Sequence, residues 1–169
     1  MPSLSLSRPL YRAGQFFASL RPRVDAAERA EAAAVLGEKL FALFDSMTPR
    51  DQRHCLDVYL ALREGGCRDR DVLLAALLHD AGKGRLAGAR TRLWHRVAYV
   101  LLAAAQPGRL ETLSAGGGLA VLHDHSQRGA ELAVSMGASA TVVELIRRHE
   151  SRETGDDRLR LLQAADDAC

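Results

Sequence analysis

Aromatic residues are scarce in this 169-residue chain, at 5%, and cysteine is limited to Cys55, Cys67 and Cys169. No two cysteines form a CxxC pair, which argues against a disulfide framework and against zinc-finger spacing. A reducing, cytoplasmic setting is therefore expected. Long apolar runs are also missing. The longest, Val97 to Ala105, has nine residues, far fewer than the roughly 20 needed to cross a bilayer. Arg8 and Arg12 stand near the start without a continuous apolar stretch behind them, so a signal peptide is not expected. Net charge is only +2, which gives no ground to expect nucleic acid as a partner. No segment alternates with period two, so strands are not expected.

Ala and Leu dominate instead, and both enter helices at little cost. The fold class read from this is all-α, a single-domain bundle of about seven to nine helices. Pro9 to Leu20 reads as a short helix. Asp25 caps a helix that Gly37 interrupts, with Leu40, Phe41, Leu43 and Phe44 continuing an apolar stripe. Thr48-Pro49 is an N-cap followed by Pro at the first helical position, and that helix closes at Gly65-Gly66. Asp69 caps a helix over about 70–81 that is apolar almost all round, and so central and buried. Thr91 to Ala105 and Leu110 to Leu113 are further helical segments. Gly116-Gly117-Gly118 reads as a permissive loop, followed by helices from Ser126 to Met136, from the cap Ser139 through His149, and from Leu159 to Ala168.

At the end of the buried helix stand His79 and Asp80, followed by Gly82-Lys83. Neither an imidazole nor a carboxylate belongs in an apolar interior unless it is paired or bound. A divalent metal satisfies both at once. His54, His125, His149 and Asp166 each fall on a different helix, and inward-facing ligands from several helices are how bundles build metal sites. Imidazole with carboxylate suits Fe, Mn, Co, Ni or Zn rather than Ca. His123 competes with His125, and Asp167 with Asp166; His95 reads as a surface residue.

The set His54, His79-Asp80 and Asp166 resembles the H…HD…D signature of the HD-domain metal-dependent phosphohydrolases. Ala75 to Lys83 is similar to that family's most recognisable stretch. His125-Ser126-Gln127-Arg128-Gly129-Ala130-Glu131-Leu132 resembles the "H-P-x-x-G-A-E-L" segment of its two-metal branches, with Ser126 in place of Pro. Ile146 to Glu150 resembles the "HHE" stretch, with Arg148 in place of the first His, and Ala165-Asp166 resembles the closing "A-D". The resemblance spans roughly residues 50–168. It implies a helical extension over 1–46 packed on a metal-binding core over 47–169.

The same resemblance implies roles. His54, His79, Asp80 and Asp166 would hold one metal, and Asp80 would bridge to a second on His125 and His149. Attack by a metal-activated hydroxide on a phosphomonoester or phosphodiester would follow, with Asp80 and Lys83 catalytic. Lys83 would stabilise charge on a phosphate oxygen, with Arg148 and His123 as further substrate contacts. The expected partner is a small phosphorylated molecule, nucleotide-like in character. The Gly-Tyr-Pro stretch of cyclic-di-GMP hydrolases is absent after His149, so that substrate is not assigned. From Lys83 to Leu110 there are six cations and no carboxylate, a one-sign segment that would draw an anion. Two other readings remain open at this level: a di-iron oxygenase of the same superfamily, which also carries single His ligands at the positions of His125 and His149, and a degenerate domain used for signalling or binding.

Overall fold

The computed structural model describes residues 24–88, 118–151 and 155–169. The expected helices at Pro9–Leu20, Thr91–Ala105 and Leu110–Leu113 lie outside the described residues, as do His95 and the arginines from Arg90 to Arg109. Among the described residues the protein has six α-helices and no strand. These are α1 (Ala26–Ser46), α2 (Pro49–Glu64), α3 (Arg70–Leu78), α4 (Gly118–Ser135), α5 (Ala140–Arg148) and α6 (Asp157–Ala168), with 3₁₀ turns at Ala81–Lys83 and Arg85–Ala87. The all-α class holds. None of these helices is long and apolar enough to cross a membrane.

The helix starts follow from their caps. The Asp25 side chain accepts the Glu28 amide while the Glu28 carboxylate accepts the Asp25 amide, a reciprocal capping box. Thr48 accepts from the Asp51 amide, Asp69 from the amides of Asp71 and Val72, and Ser139 from that of Val142. Gly37 breaks α1 into two helical arms, since its φ of 71° and ψ of 168° lie outside the helical region.

Helix α3 is the hub, packing against α1, α2, α5 and α6. Its Val72, Ala75, Ala76, Leu77 and Leu78 are fully buried, each large side chain stabilising the fold by about 1.5–3 kcal/mol. Leu36, Leu40, Leu43 and Phe44 of α1 belong to the same core as the buried faces of α2 and α3.

Two helix boundaries differ from the sequence reading, and both bear on the site. Helix α3 ends at Leu78 rather than near residue 81; His79 is its C-cap, and the backbone tightens into a 3₁₀ turn after Asp80. Helix α4 starts at Gly118 rather than Ser126. The third glycine of the triplet is therefore helical, and His125 lies in mid-helix. The 3₁₀ turn at Ala81–Lys83 sits directly on α4. A Cβ on Gly82 would fall 1.9 Å from the His125 carbonyl oxygen and 2.8 Å from the Gly129 amide nitrogen. Only glycine permits that approach, and it brings the Asp80 turn against the helix that carries His125.

Candidate metal centre

Five elements converge on one buried point. Helix α2 brings His54, the end of α3 brings His79 and Asp80, α4 brings His125, the end of α5 brings His149, and α6 brings Asp166. His79, Asp80, His125 and His149 are all buried. Their donor atoms form two trios, His54–His79–Asp80 and Asp80–His125–His149. Asp80 is common to both. Its Oδ1 lies 3.8 Å from His79 Nε2, 3.5 Å from His125 Nε2 and 4.0 Å from His149 Nε2. Asp166 joins the first trio through Oδ1, 2.7 Å from His54 Nε2 and 3.5 Å from His79 Nε2. The imidazole rings follow one another edge to face, at 5.2 Å from His54 to His79, 5.1 Å from His79 to His149 and 5.1 Å from His125 to His149.

The two helix-ending histidines are set alike. His79 Nδ1 lies 2.9 Å from the Ala76 carbonyl, and His149 Nδ1 lies 2.7 Å from the Ile146 carbonyl. Last-turn carbonyls lack intrahelical partners, so each ring donates Nδ1–H to one of them. That fixes Nε2 as the lone-pair nitrogen facing the centre, the arrangement that outer partners impose on metal-ligating histidines. His79 Nε2 has no hydrogen-bond partner although it is fully buried, an omission that costs about 1–3 kcal/mol if nothing binds there. The His125 and His149 Nε2 atoms face each other at 3.2 Å. An orphaned lone pair, two opposed ring nitrogens and a shared carboxylate are a donor set that fits divalent transition-metal ions.

Ionisation of the carboxylates and of His149 agrees with that fit. At His79 burial opposes charge, but Cys55, Asp80 and Asp166 raise the pKa well above the ordinary range, so an ion there would displace a proton. Burial works against charge on Asp80, yet Lys83 and then the three histidines hold its carboxyl well below the ordinary range. Burial likewise opposes charge on Asp166, but the hydrogen bond with His54 and the nearby His79 hold its carboxyl far below the ordinary range. Burial and the neighbouring His79 lower His149 to about 4, which keeps it neutral near pH 7. Ionised carboxylates and a neutral imidazole are the forms that bind metal.

Lys83 Nζ donates to Asp80 Oδ1 at 2.6 Å. The remaining expected residues are placed less centrally. His123 is half-buried on α4 and belongs to neither trio; His125 does. Asp167 is exposed, whereas Asp166 turns inward. Arg148 Nε lies 3.9 Å from Glu144, and Arg148 lines a cavity of about 300 Å³ with Thr141, Glu144, Asp156 and Arg158. None of the clustered histidines and aspartates lines that cavity. Successive helical residues are about 100° apart around the axis, so with His149 directed inward Arg148 is turned aside.

Three neighbours of the centre escaped the sequence reading. The Cys55 thiol, fully buried, sits 3.8 Å from His79 Nδ1. Gln163 Nε2 donates to the carbonyls of His149 at 3.0 Å and Ser151 at 2.7 Å. Its three-residue spacing from Asp166 puts both on one face of α6, and that spacing was the available signal. Glu150 Oε1 lies 3.7 Å from His125 Nε2 on a half-exposed side chain. Partial burial raises the Glu150 carboxyl, with Lys83 acting the other way and Asp80 and Asp166 adding to the rise. The position directly after His149 was its signal.

A family model described as HD domain matches residues 52–168. No curated protein and no solved structure matches the chain.

Proposed function

Because the chain belongs to the HD-domain family, matched over most of its length, we propose that it is a metal-dependent phosphohydrolase acting on a small, nucleotide-like phosphate ester. The observation that carries this reading is Asp80, shared by both trios and capped by the Lys83 ammonium at 2.6 Å. His54, His79, Asp80 and Asp166 would hold one divalent ion, and Asp80, His125 and His149 a second. Such a pair supplies Lewis-acid polarisation of a phosphoryl oxygen and activation of water.

The protein's own contribution is order and charge. Ala76 and Ile146 hold the rings of His79 and His149 in the tautomer that presents Nε2. Lys83 keeps its proton at Nζ, where it neutralises Asp80 and can swing to a phosphate oxygen as negative charge grows there. The ammonium favours a phosphate ester over an uncharged substrate. Arg148, paired with Glu144, has no part in this proposal, and neither has His123.

The test is turnover. Full-length protein loaded in turn with Mn, Co, Ni and Fe should release phosphate or alcohol from an aryl phosphate or a nucleotide panel. Verified metal occupancy with no hydrolysis of any ester contradicts the proposal. Oxygen consumption by the iron-loaded form, without hydrolysis, would transfer the assignment to an oxygenase.

A further inference from the structure

The two trios are unequal. The first is completed by Asp166, whose Oδ1 contacts both His54 and His79, giving two imidazoles and two carboxylates. The second has Asp80, His125 and His149, and among the described residues its one clustered carboxylate is shared with the first. A second divalent ion would therefore bring two positive charges to a subsite with less than one full negative charge of its own. Among the described residues, Glu150 is a further carboxylate beside this subsite, with Oε1 3.7 Å from His125 Nε2. Glu150 follows the C-cap His149 in the turn that closes α5, a turn fixed by the Ser151 amide donating to the Arg148 carbonyl at 2.8 Å. Gln163 holds the carbonyls on either side of Glu150, those of His149 and Ser151. The backbone that presents Glu150 is thus anchored to the helix that presents Asp166.

We infer that Glu150 is the fourth ligand of the second subsite, the counterpart of Asp166 in the first, closing it with a carboxylate on the solvent side. The inference rests on the two-ion reading above. Glu150 stands outside the Asp80–His125–His149 trio as that trio is set, but its side chain is half exposed and so has the freedom to turn towards an ion held there. It also gives the second ion a negative partner that the first does not share, which is what a mixed His/carboxylate site for Mn or Fe needs.

The experiment is calorimetric titration of chelated, full-length protein with Mn²⁺, alongside its electron paramagnetic resonance spectrum. Wild type is expected to take up two ions and to show a spin-coupled pair. Glu150→Gln, which keeps size and removes charge, should retain the tighter ion and bind the looser one at least tenfold more weakly, with the coupled signal reduced at equal Mn²⁺. His149→Ala should do the same, and His54→Ala should instead weaken the first ion. Circular dichroism of Glu150→Gln should match wild type, because the side chain is half in solvent. Two ions bound to Glu150→Gln with wild-type affinities would overturn this inference and leave the two-ion reading intact. A wild-type chain that takes up one ion or none would overturn both.

Discussion

Gly82→Ala perturbs the most tightly constrained joint near the centre. The added methyl group would stand 1.9 Å from the carbonyl oxygen and 2.7 Å from the carbonyl carbon of His125, and 2.8 Å from the Gly129 nitrogen. All three are backbone atoms, so no side-chain rotation relieves the clash. Ordinary carbon–oxygen contact is a little over 3 Å, so the 3₁₀ turn and α4 must separate by about 1 Å or more. Overpacking of side chains alone costs about 1–3 kcal/mol; displacing a helix that also carries a buried face should cost at least the upper end, about 3 kcal/mol. The same shift moves Asp80 away from His125, so loss of the second ion should exceed loss of the first.

Gly129→Ala provides the graded control. Its Cβ would meet the Gly82 nitrogen at 3.1 Å and Ile146 Cγ2 at 3.3 Å, a contact relieved by tenths of an ångström, for a cost of about 1 kcal/mol. Urea unfolding of chelated protein and Mn²⁺ titration of both variants are the assays. A Gly82→Ala variant that loses less than about 1 kcal/mol and still binds two ions, or one less affected than Gly129→Ala, would refute the argument that this contact sets the Asp80–His125 distance.

Chelated protein should be acid-sensitive. His149 titrates at about 4 when folded and near 6.5 when unfolded, so its contribution is complete above about pH 6.5 and is lost as pH falls towards 4. The ceiling on that loss is about 3 kcal/mol; the depressed Asp80 and Asp166 add the same sign at lower pH, while the raised His79, mainly near pH 6.5, and the raised Glu150 act the other way and reduce it. Urea midpoints that stay level or rise between pH 6.5 and 4.5 would contradict this. Lys83→Met should lower kcat about 10²- to 10³-fold while two ions still bind; loss of metal in place of rate would make Lys83 a structural residue. Gln163→Leu abandons the His149 and Ser151 carbonyls and should cost about 1–3 kcal/mol while weakening the second ion more than the first. Equal weakening of both ions would deny Gln163 a specific hold on the His149 turn.

His79-Asp80 was legible because it is a polar pair in an otherwise apolar helix, whereas His54, His125, His149 and Asp166 stand in polar stretches and were singled out by the family resemblance. His79-Asp80 closes a run with no polar face, and a bundle can satisfy such a pair only from neighbouring helices. The caps at Asp25, Thr48, Asp69 and Ser139 were legible because one side-chain oxygen answers a local backbone need. What was not legible depended on tertiary contact. Three consecutive glycines have poor helix propensity, yet Gly118 is helical, so α4 starts eight residues before its expected start. Helix α3 stops short because His79 leaves the ladder to reach the centre while its Nδ1 takes a last-turn carbonyl. Arg148 replaces an expected imidazole, but its direction follows from the rotation of α5, not from its neighbours in sequence. Glu150 had its place directly after His149 as a signal, but its approach to His125 depends on the turn after His149 folding back.

Asp80 as the shared ligand of two ions is the claim on which the rest depends. Anomalous scattering from crystals of metal-loaded protein, with elemental analysis of the same sample, tests it most directly. The account calls for two transition-metal ions per chain, both within coordination distance of the Asp80 carboxylate. One should be held by His54, His79 and Asp166, the other by His125 and His149. Ions that avoid Asp80, or a loaded protein with no ordered metal among these six side chains, would contradict it.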